Sequence, residues 1–301
     1  MKLSLSLFGL LFIIPLFSIE ANPIPSDCHV RSYYSRCDYS LKTNSLNKND
    51  APVFVYKSVN LDQYKSVQYI LFLHGRGYAR QIGARDSMLE HLKLNDFFAD
   101  QKNANIIFIA PQDIFFHEDS ESIGQDYWIG KEGRDWGRFL GLDIPIFANY
   151  LNQRLQVDGN LKTVIGISMG AHGALMLGQN YQMNYQNVIA LSPIFRPTIS
   201  EIPVNDNDIF FKKGIKDLEE INFGTKINHG TAIMANRTYI TISKTDFGLD
   251  RKNFPNGRES WDRLLKMNID NNEHHIKILS DERGHSIGFW QDQFKASINW
   301  L

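Results

Sequence analysis

Lys162-Thr163-Val164-Ile165-Gly166-Ile167-Ser168-Met169-Gly170-Ala171-His172-Gly173-Ala174-Leu175 is the stretch that decides the fold. Its first six residues form an apolar run of strand length, and Ala171 to Gln179 fits a helix. Gly166-Ile167-Ser168-Met169-Gly170 therefore stands at a direct strand-to-helix junction, where a Gly-x-Ser-x-Gly pattern has a mechanical meaning. A serine on such a sharp turn is presented at the end of the strand, and the glycines let strand and helix pass closely. The helix N-terminus supplies free N–H groups where negative charge would develop. Ser168 is thus the candidate nucleophile.

Outward from this point, apolar runs of strand length recur at Val67 to Leu73, Asn105 to Ala110, Asn187 to Ser192, Arg237 to Ser243 and Ile276 to Leu279. Helical spacing fits Ser87 to Gln101, Gly141 to Leu155 in spite of Pro145, Trp261 to Met267 and Phe289 to Leu301. Strands apolar on both faces and alternating with helices imply an α/β fold of the α/β-hydrolase type, a mainly parallel sheet with helices on both faces. Ser26 to Asn60 is polar and irregular and reads as a lead-in strand pair. Ile199 to Thr231 breaks the rhythm and is long enough for a cap or lid, an ordinary surface excursion being the alternative.

A serine hydroxyl needs a base within hydrogen-bond reach, and in this fold the chain order is serine, acid, histidine. His285, in the loop Arg283-Gly284-His285-Ser286 between the last strand and the closing helix, fits that order better than the other histidines. The acid is expected at the end of the strand Tyr239 to Ser243, where Asp246 is the first choice, Asp250 a close competitor and Asp281 a weaker one. Two backbone donors should face the oxyanion: the N–H of Met169, and one from the glycine turn His74-Gly75-Arg76-Gly77, with Arg76 preferred. Tyr127, Trp128 and Trp136 are candidates for lining an acyl or alcohol pocket, weighed against plain packing.

With 43% hydrophobic and 22% charged residues the 301-residue chain can bury a large core, and its net charge of -1 gives no footing for a nucleic-acid partner. Met1-Lys2 followed by the apolar run Leu3 to Phe17 and small residues at Ser18 and Ala21 reads as a signal peptide over residues 1–21, with an uncleaved anchor as the alternative. Residues 22–301 are then expected to form one α/β-hydrolase domain, secreted or periplasmic, without stable membrane insertion after cleavage. The two cysteines, Cys28 and Cys37, follow the leader closely and are expected to pair in an oxidising compartment. Asn236-Arg237-Thr238 fits a glycosylation acceptor. No metal, phosphate-loop or dinucleotide pattern is present, so no metal and no cofactor is implied.

The segment Gly166 to Leu175, followed by Val188-Ile189-Ala190-Leu191-Ser192-Pro193-Ile194-Phe195-Arg196-Pro197, resembles the nucleophile region of the esterase D family. That family includes S-formylglutathione hydrolases, feruloyl-type esterases and mycolyltransferase-like proteins. Leu71-Phe72-Leu73-His74-Gly75 and Gly284-His285-Ser286-Ile287-Gly288-Phe289-Trp290 resemble it too, so the likeness is anchored at three places between Val67 and Leu301. Ser168 and His285 match its nucleophile and base. Ala171 departs from the usual glycine, and the loop between Asp113 and Leu140 does not look like that of the glutathione-thioester enzymes. The resemblance implies hydrolysis of a carboxylic ester, on a small molecule or borne on a polymer, through an acyl-enzyme. An acyltransferase on the same site and a catalytically silent binding protein are the alternatives. Acyl and alcohol specificity and oligomeric state stay open.

Overall fold

The computed structural model describes residues 24–46, 50–75, 87–112, 128, 135–195, 223–250, 255–267 and 273–301. Among the described residues nine strands form one sheet: β1 (Asp27–Val30), β2 (Tyr34–Lys42), β3 (Asp50–Ser58), β4 (Ser66–Leu73), β5 (Ile106–Pro111), β6 (Asp158–Ile167), β7 (Asn187–Leu191), β8 (Arg237–Ser243) and β9 (His274–Leu279). Their order is β1-β2-β3-β5-β4-β6-β7-β8-β9. The first three strands join antiparallel, and β5 through β9 pair parallel around β4 and β6. This is the α/β-hydrolase arrangement expected from the strand and helix pattern. The lead-in contains three strands rather than a pair, because the short β1 adds an edge. Cys28 faces Cys37 across β1 and β2, and the two are disulfide-bonded.

Successive side chains on a strand point to opposite faces, and the core divides accordingly. On one face Tyr69, Leu71 and Leu73 of β4 join Val164, Val188, Ala190, Ile240 and Ile242. They pack under α3 (Trp136–Arg138), α4 (Ile144–Leu155), α5 (Met169–Asn180), α6 (Phe223–His229) and α7 (Pro255–Met267). On the other face Ile70 and Phe72 join Phe108, Ile165, Ile167, Ile189 and Leu191 against α1 (Met88–His91), α2 (Leu94–Ala99) and α8 (Ile287–Trp300). Each fully buried large apolar side chain contributes about 1.5–3 kcal/mol, so the continuous central strands are the main source of cohesion.

Two expected helices are corrected. The one over Ser87 to Gln101 is two short helices, broken because Lys93 takes left-handed backbone angles (φ 58°). The one beginning at Gly141 is α-helical only from Ile144, after a π-helical turn over Phe139–Asp143 that runs directly into it; Pro145 offers no N–H to the preceding turn, and the Leu140 and Gly141 carbonyls accept instead from the Tyr185 hydroxyl and the Asn184 amide. The leader, residues 1–21, and the greater part of the expected lid, residues 199–222, lie outside the described residues; within the remainder, α6 packs Phe223 and Ile227 into the core. Among the described residues no helix is long and apolar enough to cross a membrane.

Candidate active site

The C-terminal ends of β4, β6, β8 and β9 come together, the place where parallel α/β sheets assemble ligand sites. Ser168 connects β6 directly to α5, with φ 56° and ψ −114°. A non-glycine residue there is strained by the order of 1–3 kcal/mol and persists only because its surroundings hold it. Its N–H donates to the Leu191 carbonyl at 2.9 Å, tying the turn to β7. The flanking glycines are required by contact: a Cβ on Gly166 would overlap the Gly170 carbonyl, and one on Gly170 would overlap the Leu73 carbonyl.

His285 reaches Ser168 from the loop after β9, its Nε2 lying 2.8 Å from Ser168 Oγ. On the other edge of the ring, Nδ1 lies 2.9 Å from Asp246 Oδ2. A carboxylate only accepts, so Nδ1 carries the proton and donates, which leaves the Nε2 lone pair to accept from the serine hydroxyl. The Asp246 side chain is fully buried, and its second oxygen accepts the Gly248 N–H at 2.9 Å. That bond also caps the short 3-10 turn Phe247–Leu249. The imidazole is 14% exposed, so it is shielded yet reachable.

The carboxylate that reaches His285 is that of Asp246. Asp250 ends the turn that Asp246 begins, its N–H donating to the Phe247 carbonyl at 2.9 Å. Asp281 is engaged by Arg283, whose hydrogen bonds hold its carboxyl below the usual carboxylate range.

Met169 opens α5, so its N–H has no carbonyl four residues back within the helix and points out of its N-terminus beside Ser168. Gly75 abuts the nucleophile closely enough that a Cβ there would stand 3.3 Å from Ser168 Cβ. Its own N–H is occupied by Met88 Sδ at 3.1 Å. Arg76, expected as the second oxyanion donor, lies outside the described residues, as does Tyr127.

Of the two readings open for Trp128 and Trp136, packing is the one their burial favours. They are 3% and 1% exposed and pack edge to face at 4.9 Å, with Trp128 against His74 and Trp136 against Phe139. Among the described residues, Phe247 and Trp290 flank His285, their ring centroids 4.4 and 4.9 Å from its own. Sequence reading passed over both; the signal was their nearness to the acid and the base along the chain.

Residues 48–298 match the family model described as Putative esterase. The chain belongs to this esterase family. Among solved structures, the esterase chain is similar to an S-formylglutathione hydrolase from Agrobacterium tumefaciens, with a TM-score of 0.64 at 15% identity over 92% of this chain and 99% of that one. It is similar to a ferulic acid esterase, with a TM-score of 0.61 at 16% identity over 88% and 95% of the two chains. It is also similar to the fluorophosphonate-binding serine hydrolase F of Staphylococcus aureus, with a TM-score of 0.59 at 15% identity over 89% and 97%. At these identities the structures speak for the fold, while the family match carries the activity. No curated protein sequence matches the chain. The protein is an ester hydrolase of the serine type, of the family that its nucleophile region resembles.

Proposed function

We propose that the protein is an exported carboxylesterase in which Ser168 is the nucleophile, His285 the general base and then acid, and Asp246 the residue that orients and charge-stabilises the imidazole. The observation that carries this reading is the continuous chain of hydrogen bonds from Ser168 Oγ through both nitrogens of His285 to Asp246 Oδ2. In the first half-reaction His285 Nε2 takes the hydroxyl proton as Ser168 Oγ bonds to the ester carbonyl carbon. The resulting oxyanion is held by the Met169 N–H and, in this reading, by that of Arg76. Collapse breaks the bond to the alcohol oxygen, which receives the proton from His285 and leaves an acyl-serine. Water then repeats the sequence, releasing the carboxylic acid and restoring Ser168.

Export is supported by the leader pattern of residues 1–21 and by the Cys28–Cys37 bond, which suits an oxidising compartment. The substrate is a carboxylic ester, free or on a polymer. No observation favours a nucleic-acid partner or a cofactor.

The test is a panel of p-nitrophenyl esters from acetate to palmitate, assayed with wild type and Ser168→Ala, with and without an added acceptor alcohol. Hydrolysis that falls on the order of 10⁴-fold or more in the variant supports the reading. Retained turnover by Ser168→Ala overturns it, and transfer of the acyl group to the alcohol in preference to water turns it to an acyltransferase.

A further inference from the structure

The acid and the base stand on separate loops, 39 positions apart in sequence, and the 2.9 Å contact between them depends on how those loops are joined. One buried hydroxyl joins them. Ser243, the last residue of β8, has no exposed surface. Its Oγ donates to the Asp281 carbonyl at 2.7 Å and accepts the Gly284 N–H at 3.1 Å, both on the loop that carries His285. The same oxygen accepts the Thr245 N–H at 3.3 Å, inside the turn that leads to Asp246. The Thr245 hydroxyl also lies 3.2 Å from this oxygen, so polar groups of both loops converge on the one serine hydroxyl. Within the acid turn the Ser243 carbonyl accepts the Asp246 N–H at 3.0 Å, which closes that turn on the same residue.

The two loops are also in close contact. Gly284 sits at φ 65°, and a Cβ there would stand 3.3 Å from the Thr245 carbonyl oxygen. The Lys244 N–H also donates to the Leu279 carbonyl at 2.9 Å where the base loop leaves β9, and at the surface Lys244 pairs with Glu282 at 2.8 Å, with side chains 46% and 77% exposed, so salt and water weaken that pair. Ser243 is shielded from both.

We propose that Ser243 is a positioning residue for the esterase reaction: its hydroxyl sets the distance and angle between Asp246 and His285 by fastening the acid turn to the base loop. This rests on the catalytic roles given to Ser168, His285 and Asp246 above. The hydroxyl touches none of the reacting atoms, so its loss acts through the orientation of the imidazole. A base that keeps its chemistry but loses its alignment lowers kcat, while the binding of substrate, made elsewhere, changes little.

The experiment compares wild type, Ser243→Ala and Ser243→Thr on p-nitrophenyl acetate, and follows the downfield proton resonance of the His285 Nδ1–H···Asp246 bond by NMR. For Ser243→Ala the expected result is a fall in kcat of about 10- to 100-fold with KM changed by less than about threefold, and a broadened or lost downfield signal in a protein that still unfolds cooperatively. Ser243→Thr, which returns the hydroxyl, should recover kcat to within about fivefold of wild type. If Ser243→Ala does not fold, Ser243→Cys fills the same space with a weaker hydrogen-bonding atom and takes the same measurements. A replacement that keeps both the wild-type kcat and the downfield signal overturns the proposal. Ser168→Ala run beside them separates the two readings: its retained activity would sink the catalytic assignment, whereas the NMR signal judges the clasp on its own.

Discussion

The ring of Trp290 stands edge-on to the imidazole of His285, centroids 4.9 Å apart at 86°. Its indole N–H donates to Ser192 Oγ at 3.0 Å, and Ser192 is itself fully buried at the end of β7. The base therefore leans on a ring fixed to the neighbouring strand. Trp290→Ala should destabilise the protein by about 3–5 kcal/mol through the cavity it opens. Trp290→Phe keeps a ring edge against His285 and should cost less in both stability and kcat. Urea unfolding and steady-state kinetics on the two variants check this, and equal losses from both would remove the role of the ring.

Arg36 is an ion buried to 3% exposure, held by Asp38 at 2.9 Å and Glu90 at 3.3 Å. Glu90 also accepts the Ser87 N–H at 2.8 Å and the Tyr34 hydroxyl at 3.1 Å, so the network anchors the first turn of α1, whose Met88 holds Gly75 beside the nucleophile. Removing one partner strands the others without water. Arg36→Met should therefore destabilise by about 3–5 kcal/mol, read from the shift in urea midpoint; a loss below about 1 kcal/mol would show that the charges are reached by solvent.

Burial pushes the His275 imidazole below its usual value, and Lys277 adds in the same direction. Folding thus favours the neutral ring, which stacks on Tyr239 at a centroid distance of 4.4 Å. The unfolded chain takes up this proton near the ordinary value of 6.5, before the folded protein does. The contribution is whole above that pH and is lost as pH falls through the depressed folded value. His275→Gln should lose less stability than wild type between about pH 7.5 and about pH 5. Urea midpoints at the two pH values decide it, and parallel losses would place the acid sensitivity elsewhere.

The Cys28–Cys37 bond closes a short loop, the cysteines standing nine positions apart, and ties the four-residue edge strand β1 to β2. Chain-entropy reasoning for a loop this short gives a contribution of about 2–3 kcal/mol at most. The double Cys28→Ser, Cys37→Ser variant should be less stable by no more than that and keep its kcat, because Ser168, Asp246 and His285, the residues proposed for catalysis, follow β6, β8 and β9 on the parallel part of the sheet. Loss of turnover in a folded double variant would show a coupling between this edge and the site.

Much of this arrangement was legible in the amino-acid order. Arg237 to Ser243 was read with the bounds of β8, because both of its ends carry a change of pattern. Ser168 was legible since its glycines are demanded by neighbouring carbonyls, and His285 by its place between the last strand and the closing helix. Asp246 and Asp250 could not be separated, since both flank one short turn and only the folded turn shows which carboxylate reaches the imidazole. The break at Lys93 carries no glycine or proline to announce it. For Trp128 and Trp136 residue type leaves pocket and packing open, and only the tertiary contacts show them packed in the core. Ser243 had no local mark at all, because its partners at Asp281 and Gly284 come from the far side of β9.

The most direct test of the central claim is mass-spectrometric mapping of the native protein after reaction with a fluorophosphonate, which phosphonylates an activated serine. The account predicts a single adduct on the peptide containing Ser168, absent from Ser168→Ala and formed far more slowly in His285→Ala. An adduct on another residue, or no adduct on a folded protein that still hydrolyses esters, would contradict it.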